Sequence, residues 1–330
     1  MTPEVWLDRR GSDSYSTGSM QTRVIAIANQ KGGVGKTTTA INLAACLAEK
    51  RKEILLVDLD PQANATSGLG LPKEPGASLY GALFGGVRAE DLIKPTPFKH
   101  LSIIPSEIDL AGAEVEIARG EHYLHRLRVL LADVIASGRF HFIILDCSPS
   151  LGVLTMNVLA AAHSVIIPLQ AEYYALEGLS VMTRLIKQLG ENGVNPGLQL
   201  EGIVMTMYDG RTNLSQQVVQ EVVRHFGDKV FETLIPRNVR LGEAPSFGKP
   251  IIAYNPLCTG ASAYRQLARE LLARCNGGVE EEEGDSGGGF KMKSPFEKPV
   301  QMSAPAFVSA SQGVMEPVAA ERDASPHVGA

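Results

Sequence analysis

Two lysines stand five positions apart in one glycine-rich turn, Lys31-Gly32-Gly33-Val34-Gly35-Lys36-Thr37-Thr38. Ammonium groups, glycine backbone and threonine hydroxyls are the means by which a short turn holds a phosphate chain. Glycines let successive backbone N–H groups converge on phosphate oxygens without Cβ clashes. Lys36 would reach the β- and γ-phosphates, and the Thr37 hydroxyl would sit on Mg2+. The strict Gly-x4-Gly-Lys-Ser/Thr pattern is not met, because Gln30 holds the first glycine position.

Carboxylates supply the other half of this chemistry. Asp58 and Asp60 close the apolar run 54–57, and Asp146 closes the run 140–145. Asp60, two residues beyond Asp58, projects toward the loop region, where it could orient or polarise an attacking water. An apolar strand ending in Asp146 fits a Walker B strand, whose aspartate holds Mg2+ directly or through water. The segment 147–152, Cys-Ser-Pro-Ser-Leu-Gly, reads as a switch-like loop leaving the γ-phosphate region. Pro236 and Asn238, at the end of the run 230–235, could shape and hydrogen-bond an adenine pocket. His122 and His125 are three apart on an expected helix, but no further ligand accompanies them and the pattern does not make a metal site. Tyr173, Tyr174 and Met205 read as core or helix-packing residues.

These groups need a scaffold that brings strand ends together. Apolar runs at 24–28, 54–57, 101–104, 140–145, 164–167, 202–205 and 230–235 alternate with helical patterns at 121–137, 152–162, 175–191, 213–227 and 260–275. The runs are continuous rather than alternating, so both faces of each strand are covered, as in a parallel sheet flanked by helices. The expected architecture is a doubly wound, mostly parallel α/β sheet in one domain over 22–276. A helix beginning directly after the loop would add its N-terminal positive potential to the phosphate site.

The chain has 330 residues, 44% of them apolar and 20% charged, enough for a substantial core. No apolar run approaches a membrane span, and the polar leader 1–21 has no apolar core of a signal peptide. Four scattered cysteines without a Cys-x-x-Cys pair argue for reduced thiols. The net charge of −5 is uneven: nine acidic and four basic residues beyond 277 account for all of it. Within 211–277, nine basic residues face five acidic ones, which allows a local basic face. The segment 277–330 combines glycines, an acidic run at 280–283 and a Pro/Ser/Ala-rich end, a composition expected to stay disordered.

Lys31-Gly-Gly-Val-Gly-Lys-Thr-Thr, Asp58-Leu-Asp-Pro-Gln-Ala-Asn-Ala-Thr, Leu145-Asp-Cys-Ser-Pro-Ser-Leu-Gly, Glu172-Tyr-Tyr-Ala-Leu-Glu-Gly-Leu and Ile235-Pro-Arg-Asn-Val-Arg-Leu-Gly-Glu-Ala-Pro-Ser resemble the ParA/Soj chromosome-partitioning ATPases of the deviant-Walker-A group. The resemblance spans about residues 22–275, with the motifs in order. It implies a P-loop ATPase with ATP and Mg2+ as cofactors, forming a homodimer on ATP, in which Lys31 reaches the phosphates of the opposite subunit. A lysine ahead of the glycines can point away from its own nucleotide, and two such lysines crossing a two-fold axis neutralise phosphate only in the dimer. Lys36, Asp60 and Asp146 carry over as catalytic or Mg2+-side groups, and Pro236 and Asn238 as nucleotide contacts.

The resemblance also implies non-specific DNA binding by the ATP dimer, with Arg240 first among the candidate contacts and Arg237, Arg211, Arg224, Lys249, Arg265 and Arg269 behind it. A ParB/Spo0J-type centromere-binding partner and a cytoplasmic, nucleoid-associated location follow from the resemblance alone. A MinD-like positioning ATPase would need a C-terminal amphipathic membrane helix, which the glycine-broken tail does not offer. A nucleotide-switched scaffold without hydrolysis is the other class of reading.

Overall fold

The computed structural model describes residues 21–120 and 123–275. The expected tail at 277–330, the leader up to residue 20 and His122 lie outside the described residues. The strands are β1 (Arg23–Ile27), β2 (Ile54–Leu59), β3 (Lys94–Pro95), β4 (Leu101–Ile104), β5 (Phe142–Cys147), β6 (Ser164–Gln170) and β7 (Gln199–Thr206). They form one sheet in the order β3-β4-β2-β5-β1-β6-β7, parallel throughout except for β3 against β4. Helices α1 (Lys36–Glu49), α2 (Asn64–Gly68), α3 (Tyr80–Leu83), α4 (Leu110–Ile117), α5 (Arg126–Ala136), α6 (Val153–Ala161), α7 (Ala175–Glu191), α8 (Asn213–Phe226), α9 (Val239–Glu243), α10 (Ile251–Tyr254) and α11 (Thr259–Cys275) connect them.

Strand alternation explains the two cores. Val24 and Ala26 of β1 and Leu55 and Val57 of β2 face one cluster, which packs on residues of α5, α6, α7 and α8. Ile25 and Ile27, with Ile54 and Leu56, face the other, packed on α1 and α11. Both faces are therefore apolar, as the uninterrupted runs require. Helix α1 lies between the sheet and α11, so its residues 39–48 are buried on every side. The polar ones are satisfied there: Asn42 Oδ1 accepts from the Ile251 N–H at 2.7 Å, and the Thr39 and Tyr264 hydroxyls are 3.2 Å apart.

The run 230–235 does not become a strand. It meets β7 through an isolated parallel bridge, Ile203 to Val230, and the Ile235 N–H bond to the Met205 carbonyl at 2.9 Å, with Pro236 just beyond it bridging Tyr208. Its intervening donors are turned outward: the Glu232 and Thr233 N–H groups bond to the Glu270 carboxylate on α11. Phe231 instead fills the space above Gly202, where a Cβ would stand 2.4 Å from its ring. Tyr173 and Tyr174 also depart from expectation. They are 74% and 66% exposed, in an edge-to-face pair ahead of α7, because they stand in the turn beyond β6 rather than over the sheet. Met205 is fully buried, as its place in β7 demands.

Candidate nucleotide site

The turn between β1 and α1 lies at the carboxyl edge of the sheet, next to the strand about which the order reverses, where open α/β sheets bind ligands. Gly33 and Gly35 adopt φ of 73° and 86°, a left-handed conformation that a side chain would strain. The turn is held from both sides. The Thr206 hydroxyl, at the end of β7, donates to the Val34 carbonyl at 2.8 Å. Asn29 donates to the Pro168 carbonyl at 2.8 Å and accepts from the Lys31 N–H at 3.0 Å.

The two lysines of the turn point to different places. Lys36, the first residue of α1, is 6% exposed, and its Nζ donates back to the Lys31 carbonyl at 3.0 Å. Burial lowers its pKa, while Cys147, Asp146 and Asp60 pull it up. Lys31 turns outward instead, its Nζ 2.8 Å from Glu172 Oε2 in a half-exposed ion pair. The other Glu172 oxygen accepts from the Gln170 amide.

Three carboxylates converge beside Lys36. Asp58 and Asp146 are register partners across β2 and β5, and both are fully buried. Asp58 accepts from the Thr66 N–H at 2.8 Å, the Thr66 hydroxyl at 2.7 Å and the Asp60 N–H at 3.2 Å. Burial still pushes its pKa up to about 6. Asp146 has less support: no donor meets either oxygen in full hydrogen-bond geometry, and the Thr37 hydroxyl alone stands near enough to act on it as a donor. Burial first, then the Asp58 charge, raises its pKa well above the carboxylate range, and the neighbouring Thr37 hydroxyl and Lys36 act only partly against this. Asp60 is 7% exposed and accepts from the Gln62 N–H at 2.9 Å.

A cleft of about 300 Å3 lies beside this group, lined by Gly33, Gly35, Lys36, Thr37, Asp60 and Met207 among others; of the three carboxylates Asp60 lines it, with Asp58 and Asp146 buried behind. A buried carboxylate with only a threonine hydroxyl beside it suits a hydrated divalent cation. Mg2+ keeps most of its waters and takes one or two protein oxygens plus phosphates. Among the described residues no cluster of three or more His, Cys, Asp or Glu forms a metal cage. Sequence reasoning missed Met207, whereas Pro149, from the loop 147–152 expected near the γ-phosphate, and Asn64, from the motif that follows Asp58, also line the cleft. Nothing in the sequence marks Met207. Its φ of 51° reflects a bend at the end of β7 that only the fold imposes.

The structure places the remaining candidates less centrally. Pro236 bridges to Tyr208, the neighbour of Met207, so it lies one residue behind the cleft wall. Asn238 has its side-chain amide committed elsewhere: its oxygen caps α9 by accepting from the Arg240 N–H at 2.8 Å, and its nitrogen donates to the Thr259 hydroxyl at 2.9 Å. Of the seven basic candidates, Arg240 pairs with Glu243, Arg211 with Asp209, Arg224 with Glu221 and Arg265 with Glu49. Arg237, Lys249 and Arg269 are exposed and make no ion pair among the described residues.

A family model described as an AAA domain matches residues 22–200. The chromosome partitioning protein ParA of Myxococcus xanthus is 50% identical over 270 residues, which cover 80% of this chain and 94% of that one. The chromosome-partitioning ATPase Soj of Thermus thermophilus is 52% identical over 252 residues, 76% of this chain and 96% of the relative. The chain belongs to the ParA/Soj family of chromosome-partitioning ATPases. A solved structure titled as cobyrinic acid a,c-diamide synthase from Mycobacterium smegmatis, with bound ATP analogue and magnesium, is 38% identical and superposes with a TM-score of 0.68 over 78% of this chain and 98% of that one. The ParA/Soj scaffold thus carries the whole described sheet. Among the described residues, no helix is long and apolar enough to cross a membrane.

Proposed function

We propose that this chain is an ATP-driven partitioning switch that pairs on ATP, binds DNA without sequence preference and hydrolyses ATP slowly. The observation that carries the reading is the divergence of Lys36 and Lys31, one folded over the turn and one turned outward to Glu172. Lys36 and the N–H groups of residues 32–38 hold the phosphates of the chain's own ATP. Lys31 exchanges Glu172 for the phosphates of a second copy, so ATP links two subunits that otherwise keep their charges satisfied separately. Gly32 and Gly33 leave room for the two backbones to approach.

Thr37 and Asp146 would hold Mg2+, which offsets the negative charge on the phosphates. Asp60, oriented by the Gln62 N–H, accepts a hydrogen bond from the attacking water and aligns it with the γ-phosphate. Pro236 and Asn238 shape the wall beyond Met207 toward the base. Arg237, Lys249 and Arg269, with Arg240 and the paired arginines at 211, 224 and 265, supply phosphate contacts to DNA, doubled in the dimer. Residues 22–276 form the ATPase domain between a leader and a tail. A ParB/Spo0J-type protein stimulates hydrolysis on the nucleoid in the cytoplasm.

The test is DNA binding with ATP, with ADP and without nucleotide, for the natural chain and Arg240→Ala. ATP-dependent, salt-sensitive binding weakened by the substitution is expected. Binding that is indifferent to nucleotide would refute the switch.

A further inference from the structure

A second cleft lies away from the nucleotide site. It measures about 750 Å3 and lies at the amino edge of the sheet, lined by Arg51, Lys99, His100 and the Arg265-paired Glu49, with the apolar Phe98 and Ile252. Three loops meet there. The Ile54 N–H donates to the His100 carbonyl at 2.9 Å, and the His141 N–H to the Glu53 carbonyl at 2.8 Å, which joins segments 50–53, 97–100 and 139–141. Arg51 and His100 hold left-handed φ of 57° and 62°, uncommon for residues with side chains and frequent where a surface serves binding.

Charge on this edge is one-sided. Lys50, Arg51, Lys52, Lys99 and Arg139 make no ion pair among the described residues, and all are exposed or half-exposed. The nearby carboxylates are already engaged: Glu49 by Arg265, Glu53 by His100 and Glu201 by Arg23. Arg51 and Lys99 line the cleft, and Lys50, Lys52 and Arg139 stand in the loop segments that meet beside it, an arrangement that fits an acidic peptide.

We propose that the occupant is the chain's own acidic run at 280–285, which holds four glutamates and Asp285, five carboxylates for five cations. Chain geometry allows it. Helix α11 ends at Cys275 on this same edge, beside Arg23 and Glu201, whose charges act on the Cys275 thiol, and the Arg274 guanidinium bonds the Glu201 carbonyl. From Arg23 the edge runs across Phe142 and Ile54 to Leu101, three strand steps in register, or about 14 Å at ~4.8 Å per step. The steps from Cys275 to Glu280 span up to roughly 17 Å when extended. The length of chain between Cys275 and the run is thus comparable to the span of the edge from Arg23 to Leu101. Once seated, the run screens these cations from other polyanions.

Zero-length carbodiimide coupling of the full chain at low salt, followed by peptide mapping of the monomer band, tests this. Isopeptide bonds from Lys50, Lys52 or Lys99 to the glutamates at 280–283 are expected, and they should vanish in 1 M NaCl. A full chain with those glutamates changed to Gln and Asp285→Asn should bind heparin at least fivefold more tightly. That gain should shrink when Lys50, Lys52 and Lys99 are also changed to Gln. Coupling that is absent, only between chains or insensitive to salt would overturn the proposal, as would unchanged heparin binding. None of these readouts uses ATP or DNA, so they stand or fall apart from the partitioning switch.

Discussion

The two edges of the sheet handle charge in opposite ways. At the carboxyl edge, Lys36, Asp58, Asp60 and Asp146 are 7% exposed or less, and the Asp146 carboxylate has only the Thr37 hydroxyl near it. At the amino edge, cations stand in water around a cleft more than twice as large. Cleft size therefore misleads here. Buried charge that costs stability marks the chemistry, because nothing except a ligand offsets that cost. The amino edge costs the fold little and leaves its charges available for exchange.

Lys36→Ala tests the contrast most severely. Loss of the buried ammonium should lower ATP turnover by ~10²–10³-fold or more, the scale for removing a preorganised charge-stabilising donor. The corresponding Lys99→Ala at the amino edge should leave single-turnover hydrolysis unchanged. Asp60→Ala should abolish turnover while ATP binding measured by calorimetry persists.

Gly202→Ala probes the packing under the same edge. A Cβ there meets the Phe231 ring, so the substitution should cost about 1–3 kcal/mol in chemical denaturation.

Asp146→Asn should act in the other direction. A carboxyl whose folded pKa is raised binds its proton more tightly folded than unfolded. The fold therefore loses stability as pH rises from the unfolded value, ~3.9, through the folded one, and the loss persists above it. For Asp58 that window closes at about 6. The contribution of Asp58 and Asp146 to the nucleotide-free fold should thus fall from pH 4 upward, against the opposite contribution of His141 and His163, whose pKa values burial lowers. Asp146→Asn should flatten the profile and raise the neutral-pH stability by ~1–3 kcal/mol, while Mg2+-dependent ATP binding falls. A less stable variant at pH 7 would contradict the assignment of cost to Asp146.

The smallest effect is expected at the half-exposed pair. Glu172→Gln should shift stability by no more than ~1 kcal/mol, as surface ion pairs do. It should still lower the ATP concentration at which the chain pairs by a few-fold, since Lys31 no longer has to leave a partner.

How much of this was legible in the sequence follows from the same contrast. The turn at 31–38 and the aspartates at 58, 60 and 146 announce themselves because local chemistry and strand ends coincide in the chain. The parallel sheet was readable because both faces of each strand are apolar. The failure at 230–235 came from Glu270 on α11, which captures donors a strand would need. Tyr173 and Tyr174 carry the same residue types a core would use, and only their place beyond β6 exposes them. Met207 and the amino-edge cleft were hidden for a related reason: long-range packing, not local pattern, brings their neighbours together.

Sedimentation of Lys31→Ala with saturating ATP is the most direct measurement of the central claim. The variant should still bind ATP with near-natural affinity yet sediment as a single subunit at concentrations where the natural chain pairs. If Lys31→Ala pairs on ATP as readily as the natural chain, the outward lysine is not the link between subunits.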